Sequence, residues 1–253
     1  MDNKRENKKI IMNLIDRLKF VYLRQDFYPG KLGIFINPFY FARLALSNAM
    51  INFSPSLSGN LLDIGCGNQP YRELFNVDEY IGLEIDNKRS RDRGVADKFY
   101  DGKTFPFTNA SFDSALCNQV LEHVFNPDEF LGEIARVLKP GGRLLLTVPF
   151  VWDEHEQPYD YARYSSFGLK ALLERQGLKI IKQRKLVSDA SIIFQLTNAY
   201  LFKITQHLPN KIKILFTATV IAFFNLLGIL AAKILPDNPD LFLDHVVLAE
   251  KTS

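Results

Sequence analysis

Apolar positions fall into two alternating rhythms along this chain. Residues 60–64, 80–85, 112–117 and 142–148 are short apolar runs, each closed by loop-forming residues, and they predict strands. Residues 127–138 carry helical spacing instead, with Asn126 and Asp128 at the start and Pro140-Gly141-Gly142 at the end. A second helix is expected over 167–176, capped by Ser165 or Ser166 and stopped by Gly177, followed by a strand over 178–186. Residues 242–249 read as a last strand. Strands separated by helices in this rhythm predict a mostly parallel sheet.

The flanks read differently. Ile10, Ile11, Leu14, Ile15, Leu18 and Val21 recur at helical spacing behind a basic start of Lys4, Arg5, Lys8 and Lys9. Two readings stay open for that helix: a flap packed on the main domain, or a basic amphipathic surface lying on anionic lipid. Phe27-Tyr28-Pro29-Gly30 then makes a turn into an aromatic stretch over 34–41. Residues 214–232 are uncharged and mostly apolar, bounded by Lys211, Lys213 and Lys233, and are long enough to cross a bilayer. The chain divides into an N-terminal extension (1–57), a core (58–187), an apolar helical insertion (188–238) and a final strand with its tail (239–253).

Composition narrows the class without naming a function. Of 253 residues 47% are hydrophobic and 23% charged, so a folded core is expected. A net charge of +3 is too small to argue for nucleic acid, and none is expected. Cys66 and Cys117 are the only cysteines and sit in apolar runs, which speaks for packing residues in a reducing cytoplasm. No signal peptide is expected.

The strongest local signal is Leu61-Leu62-Asp63-Ile64-Gly65-Cys66-Gly67-Asn68, an apolar strand running into two glycines, after which a helical segment is expected. Glycines there permit a tight turn and let a ligand lie against bare backbone. Glu84 closes the next strand, where a carboxylate can accept both hydroxyls of a ribose. Together they predict an adenosine-containing cofactor at the carboxyl edge of a parallel sheet. A dinucleotide is disfavoured, because Asn68-Gln69-Pro70-Tyr71 holds no third glycine and Pro70 lacks an N–H for phosphate. An adenosine with an amino-acid tail fits better.

Further motifs follow in order: Thr104-Phe105-Pro106-Phe107 with Ser111-Phe112-Asp113, then Val120-Leu121-Glu122-His123-Val124, then Glu133 through Gly142. With the glycine turn they resemble the class I S-adenosylmethionine-dependent methyltransferases, in particular the type 11 small-molecule group, over about residues 58–187. The resemblance implies a Rossmann-like three-layer α/β sandwich whose seven-stranded sheet is mostly parallel with an antiparallel last strand. It implies that Gly65 and Gly67 pass beneath the methionine part of S-adenosylmethionine and that Asp63 orders the turn. It implies too that Glu84 takes the ribose, that Asp101 with Gly102 faces the adenine, and that Asn118 and Gln119 border the sulfonium. The departure at residues 68–71 leaves open which group meets the methionine carboxylate. No metal ligands are assigned.

The segment after the fifth strand resembles a His-x-x-Pro-x-Asp-Tyr-x-Arg-Tyr pattern found in some type 11-like enzymes of bacterial surface-glycan clusters. His155 is the first candidate for a general base there, since a neutral imidazole is available near pH 7. Tyr161 and Arg163 are further catalytic candidates, and Asp160 with Arg163 can stiffen the loop as a pair. His123 reads as structural, and Glu122 and Arg136 read either as a structural ion pair between adjacent helices or as functional groups.

An antiparallel last strand constrains the apolar insertion, because a single crossing at 214–232 would strand that element across the bilayer. A hairpin with a preceding helix over 191–208 returns the chain to its starting side. Two readings remain: a monotopic hairpin on the inner face of the membrane, or a soluble cap or homodimer interface. The expected function is methyl transfer to a small-molecule, glycan or lipid-linked acceptor. The alternatives are a nicotinamide-dependent oxidoreductase and a non-catalytic cofactor-binding scaffold.

Overall fold

The structure, a computed structural model, describes residues 21–252. The amphipathic helix expected over 10–21 lies outside them except for its last residue. The strands are β1 (Asn60–Ile64), β2 (Glu79–Ile85), β3 (Lys98–Tyr100), β4 (Phe112–Asn118), β5 (Leu138–Pro149), β6 (Leu178–Leu186) and β7 (Asp244–Lys251). They form one seven-stranded sheet in the order β3-β2-β1-β4-β5-β7-β6. The strands from β3 across to β5 pair in parallel, while β7 runs antiparallel to both its neighbours. This is the Rossmann-like sandwich with a reversed last strand that the sequence predicts.

The central strands are apolar on both faces because both are covered. Leu62, Ile64, Leu144 and Leu146 point into a core closed by Phe130, Leu131, Ile134 and Val137 of α4 (Pro127–Val137) and by Leu169 and Leu173 of α5 (Ser166–Arg175). Their neighbours in the strands, Leu61, Leu116, Leu145, Val246 and Leu248, point the other way. That second face is covered by Leu46, Ala49, Met50 and Phe53 of α2 (Tyr40–Phe53), which follows the short α1 (Gly33–Ile36). The helix expected just after Gly67 does not form; the chain makes only a 3-10 turn over Arg72–Leu74. Pro70 withholds a helical N–H, and Tyr71 and Phe75 are packed in the layer that α2 already fills, with Tyr71 edge-on to Phe27 and Tyr28. The N-terminal residues thus take the space of the missing helix.

Two element ends also move. Ser165 Oγ accepts from the Gly168 N–H at 3.2 Å and so caps α5, as one of the two serines was expected to. β7 begins two residues later than expected, because Phe242 and Leu243 lead into it as core residues: Phe242 stacks on Phe150 at 4.6 Å, and the Leu243 carbonyl accepts from Phe150 and Val151.

Between β6 and β7 the chain forms a helical hairpin. α6 (Ser191–Ile204) ends where the Thr205 hydroxyl turns back onto the Leu201 carbonyl, short of the 208 expected. α7 (Asn210–Phe216), a π-turn over Thr217–Ile221 and α8 (Ala222–Ile234) then run as one rod. Because β6 and β7 pair directly, the rod leaves and re-enters the same side of the sheet, and a single bilayer crossing is excluded. Buried asparagines tie the hairpin to the N-terminal residues. Asn225 donates to the Ile34 carbonyl at 2.8 Å and accepts from Asn198 at 2.9 Å. Gln195 in turn accepts from the Phe41 and Ala42 N–H groups and donates to the Pro38 carbonyl.

Removing the Asn225 amide takes a donor from the Ile34 and Asn37 carbonyls and the acceptor from the Asn198 amide, so Asn225→Ala should cost about 1–3 kcal/mol. Urea unfolding measures this; an unchanged midpoint would show that the hairpin is held by packing alone.

Candidate active site at the carboxyl edge

β1 delivers Gly65 and Gly67 to the carboxyl edge with φ of 66° and 53°, a region that L side chains rarely occupy. The N–H groups of Gly65 and Cys66 both donate to the Leu83 carbonyl, at 2.8 and 3.2 Å, which ties the turn to β2. A Cβ on Gly65 would lie 2.5 Å from Val120 Cγ2, so the β1 and β4 turns touch only because this residue is glycine. A Cβ on Gly67 would meet nothing nearer than Arg93 Nη1 at 4.0 Å, leaving an open face over its backbone. Glu84 borders that face: its Oε2 accepts from the Gly67 N–H at 3.0 Å and lies 3.5 Å from Arg93 of α3 (Lys88–Arg93).

Asp63 corrects its expected role. Its carboxyl accepts from the Tyr80 hydroxyl at 2.6 Å and not from the turn, whose first N–H groups Leu83 has taken. Burial pushes its pKa up to about 7. Asp101 is exposed and accepts from the N–H groups of Lys103 and Thr104 at 2.9 and 3.0 Å; the Thr104 and Lys103 bonds hold its carboxyl below the usual range. Gly102 beside it has φ 87°. Asn118 Oδ1 accepts from the Thr147 hydroxyl at 2.7 Å, and Gln119, with φ 56°, donates its N–H to the Thr147 carbonyl at 3.0 Å. The cofactor candidates therefore share one edge, spread from β3 to β4.

The loop after β5 folds over the neighbouring stretch of the same edge. Arg163 holds Asp160 through both nitrogens at 2.6 and 2.7 Å and reaches the Asp153 carbonyl at 2.9 Å. The expected pair thus forms. Burial alone would raise the Asp160 pKa, but Arg163 and the His155 N–H outweigh it and hold it at about 2. The second oxygen of Asp160 takes the His155 N–H at 2.9 Å and stands 3.3 Å from His155 Nδ1. Tyr161 is half-exposed, with its ring 5.3 Å from Phe125. Arg89 pairs with Glu156, joining this loop to α3 across the cofactor edge.

Glu122 and His123 lie on a 3-10 turn after β4, and the expected Glu122–Arg136 ion pair is absent. Arg136 instead holds Glu133 at 2.6 Å and the carbonyls of Phe105 and Phe107. Glu122 is fully buried with neither carboxylate oxygen partnered, and burial lifts its pKa to about 8. Tyr71 Oη, Arg163 Nε and Tyr164 Oη are likewise buried without partners. Such orphaned groups are rare in folded interiors and are common where a ligand completes them.

Sequence reasoning missed three contributors. Asp244 opens β7 beside Gln119, and burial lifts its pKa to about 7. The Arg43 guanidinium of α2 lies close enough to lower both Asp244 and Tyr71; it sits 5.2 Å from the Phe27 ring centroid and makes no side-chain hydrogen bond among the described residues. Tyr71 completes the group. The signals were present: Arg43 is the only charge between Lys31 and Asp63, and Asp244 interrupts an apolar run. An open surface groove of about 630 Å³, lined by Lys103, Asp128 and Gln176 among others, lies on the α4 side, away from the Gly67 face and Glu122.

The strand order with its reversed last strand is the class I methyltransferase fold. The family model described as methyltransferase domain matches residues 62–146. Residues 62–146 thus carry a type 11 methyltransferase domain, and with the methyltransferase-named relatives this match supports class I S-adenosylmethionine-dependent methyltransferase chemistry with S-adenosylmethionine as the cofactor. It is 32% identical to the 27-O-demethylrifamycin SV methyltransferase of Amycolatopsis mediterranei, over 42% of this chain and 44% of that protein. It is 35% identical to the O-methyltransferase rstn1 of Aspergillus nomiae, over 48% of this chain and 65% of that one. The chain spans about half the length of the curated relatives it matches. Among solved structures it resembles the [4+2]-cyclase SpnF with a TM-score of 0.52 and 21% identity, covering 81% of this chain and 82% of that one. A cyclase on the same fold shows that the scaffold does not dictate the reaction.

One buried group anchors the roof of the site. His245 is fully buried, donating Nε2–H to the Tyr164 carbonyl at 3.0 Å and accepting from Gln183 at 3.0 Å, and burial lowers its pKa to about 4. Between that value and the ordinary 6.5 the unfolded chain binds the extra proton, so this group's stabilisation is complete above pH 6.5 and is lost as pH falls toward 4. Wild type compared with His245→Asn in urea should show a stability difference shrinking by about 3 kcal/mol over that window. A difference independent of pH would remove His245 from this role.

Proposed function

We propose that the protein transfers a methyl group from S-adenosylmethionine to a hydroxyl-bearing small-molecule, glycan or lipid-linked acceptor. The observation that carries the reading is the Glu84 carboxylate set across the open face of Gly67, one strand away from buried polar groups without partners. These residues fit the cofactor: bare backbone at Gly65 and Gly67 for the methionine part, Glu84 for the ribose diol, Asp101 and Gly102 for the adenine, and Asn118 and Gln119 beside the sulfur. Asp63 fixes β2 through Tyr80, and Arg43 with Tyr71 is suited to the methionine carboxylate. Bound there, S-adenosylmethionine supplies an electrophilic methyl carbon on a sulfonium.

The chain's own task is to align the acceptor oxygen behind that carbon and to take its proton. His155 is placed to receive the proton, and the Asp160–Arg163 pair positions its ring. Tyr161 and Phe125 form an aromatic wall for the acceptor. The oxygen acceptor is favoured by several of the curated relatives, which are named O-methyltransferases. Nothing in the comparisons supports the oxidoreductase.

The hairpin bears on the acceptor class. Ile212, Leu215, Phe223, Leu226, Leu230 and Ile234 form an exposed apolar stripe along the α7–α8 rod, opposite the buried Ala222, Asn225 and Gly228. Residues 191–236 contain Lys203, Lys211, Lys213 and Lys233 but no Asp or Glu. An apolar stripe rimmed only by cations is complementary to an anionic lipid surface. We therefore place the enzyme at the cytoplasmic face of a membrane, with an amphipathic acceptor.

Calorimetry tests the first reading: S-adenosylhomocysteine should bind and NAD should not, and Glu84→Ala should weaken binding ~10–100-fold, the scale of about 1–3 kcal/mol for bonds to a charged acceptor. Binding of NAD alone would overturn it. Vesicle co-sedimentation tests the second. The protein should pellet with phosphatidylserine-containing vesicles, less at high salt, and Leu226→Asp/Leu230→Asp should stay in solution. Wild type that ignores vesicles and migrates as a dimer would assign the stripe to a second copy of the chain.

A further inference from the structure

Glu122 and His123 follow β4, whereas His155 belongs to the loop after β5, yet the fold brings their side chains together. One carboxylate oxygen of Glu122 and one ring nitrogen from each histidine lie within 4.8 Å of one another. His123 Nε2 stands 3.7 Å from Glu122 Oε1, and the two imidazole centroids are 4.9 Å apart. Ligands at ~2.0–2.2 Å from one small divalent ion stand roughly 3–4 Å from each other, so the widest pair needs to close by about 1–2 Å, a side-chain adjustment.

The groups behind the cluster agree. His123 Nδ1 lies 2.7 Å from the Tyr159 carbonyl, an acceptor that fixes the proton on Nδ1 and leaves the Nε2 lone pair facing Glu122. His155 Nδ1 meets the Asp153 carbonyl at 3.2 Å and Asp160 Oδ2 at 3.3 Å, with the Arg163 Nη2 donor farther off at 3.5 Å; the two nearer acceptors favour a proton on Nδ1 and the lone pair on Nε2. Backbone carbonyls and carboxylates that hold the far nitrogen in this way orient histidines for metal. The third ligand supplies the independent observation, because Glu122 is wholly buried and neither of its oxygens has a partner. A buried carboxyl group whose two oxygens have no partner, set against the ring nitrogens of two imidazoles, is a donor set that a bound cation would complete. Arg163, the nearest cation of the loop, is committed to Asp160. Both histidines are partly exposed, which gives an ion a way in.

We propose that Glu122, His123 and His155 form a site for one divalent transition-metal ion of the zinc type. Two imidazoles and one carboxylate fill three positions of such an ion and leave at least one open. Resting on the function proposed above, that open position is for an oxygen of the acceptor, a hydroxyl or carboxylate, held beside Asn118 and Gln119. With the ion bound, His155 would serve as a ligand in place of the proton-accepting role given it above: the ion would lower the hydroxyl's pKa, the proton would pass to solvent water, and the oxygen would displace the sulfonium sulfur from the methyl carbon.

The test uses the full chain stripped with a chelator. Co2+ should bind at one equivalent per chain with visible d–d absorption, Zn2+ should displace it, and Zn2+ should raise the melting temperature. His155→Ala and His123→Ala should each weaken Co2+ binding at least tenfold while retaining the wild-type circular dichroism. Since Glu122→Gln alters a buried group, its binding is read only alongside its own melting curve. Absence of stoichiometric Co2+ binding in wild type, or equal binding in the His123→Ala/His155→Ala double variant, would overturn the proposal. The outcome is independent of the cofactor: lost metal binding with intact S-adenosylhomocysteine binding counts against this site only, and the reverse counts against the methyltransferase reading only.

Discussion

Gly65 rests against Val120 so closely that any side chain would collide, and its φ of 66° admits glycine at little cost. This contact joins the turn after β1 to the turn after β4. On one side of it lies the open backbone of Gly67 with Glu84; on the other lie Gln119, Glu122 and His123. Parallel pairing of β1 with both β2 and β4 brings these ends to a common edge, and the absence of a Cβ lets them close up. The proposed cofactor half and the proposed acceptor half of the site are therefore parts of one packing arrangement.

Elements outside the matched domain complete that edge. α2 covers the face that a helix after Gly67 would have covered, and it brings Arg43 to Tyr71 and Asp244. The loop after β5 is stiffened by Asp160 and Arg163, pinned from below by the Tyr164 carbonyl on His245, and clasped to α3 through Glu156 and Arg89. The hairpin between β6 and β7 is fastened to the N-terminal residues by buried amides of Gln195, Asn198 and Asn225, which an apolar interface alone would not need. Its outer stripe remains apolar, and this is the basis for proposing a lipid-facing side.

Much of the scaffold was legible in the sequence because it depends on local rules. The strand ends at residue 64, the glycine turn, the cap at Ser165 and the reversed last strand follow from period, turn chemistry and the family resemblance. What was not legible depends on meetings between distant segments. Asp63 looked like a turn residue until Leu83 was seen to hold the turn's N–H groups. The sequence pairs Glu122 with Arg136 on the expectation of adjacent helices, whereas Arg136 is consumed by Glu133 and two carbonyls. His123 and His155 are separated by a strand and a loop, and only the tertiary fold makes them neighbours. Arg43 lies in a stretch whose period reads as plain packing.

The central claim is that the edge between Gly67, Glu84 and Gln119 is the S-adenosylmethionine site of a methyltransferase. A crystal structure of the chain with S-adenosylhomocysteine tests it most directly. The account predicts ribose hydroxyls within hydrogen-bond reach of Glu84, the sulfur beside Asn118 and Gln119, and the amino-acid tail over Gly65 toward Arg43. A ligand bound elsewhere, with Glu84 still closed onto the Gly67 N–H, would contradict it.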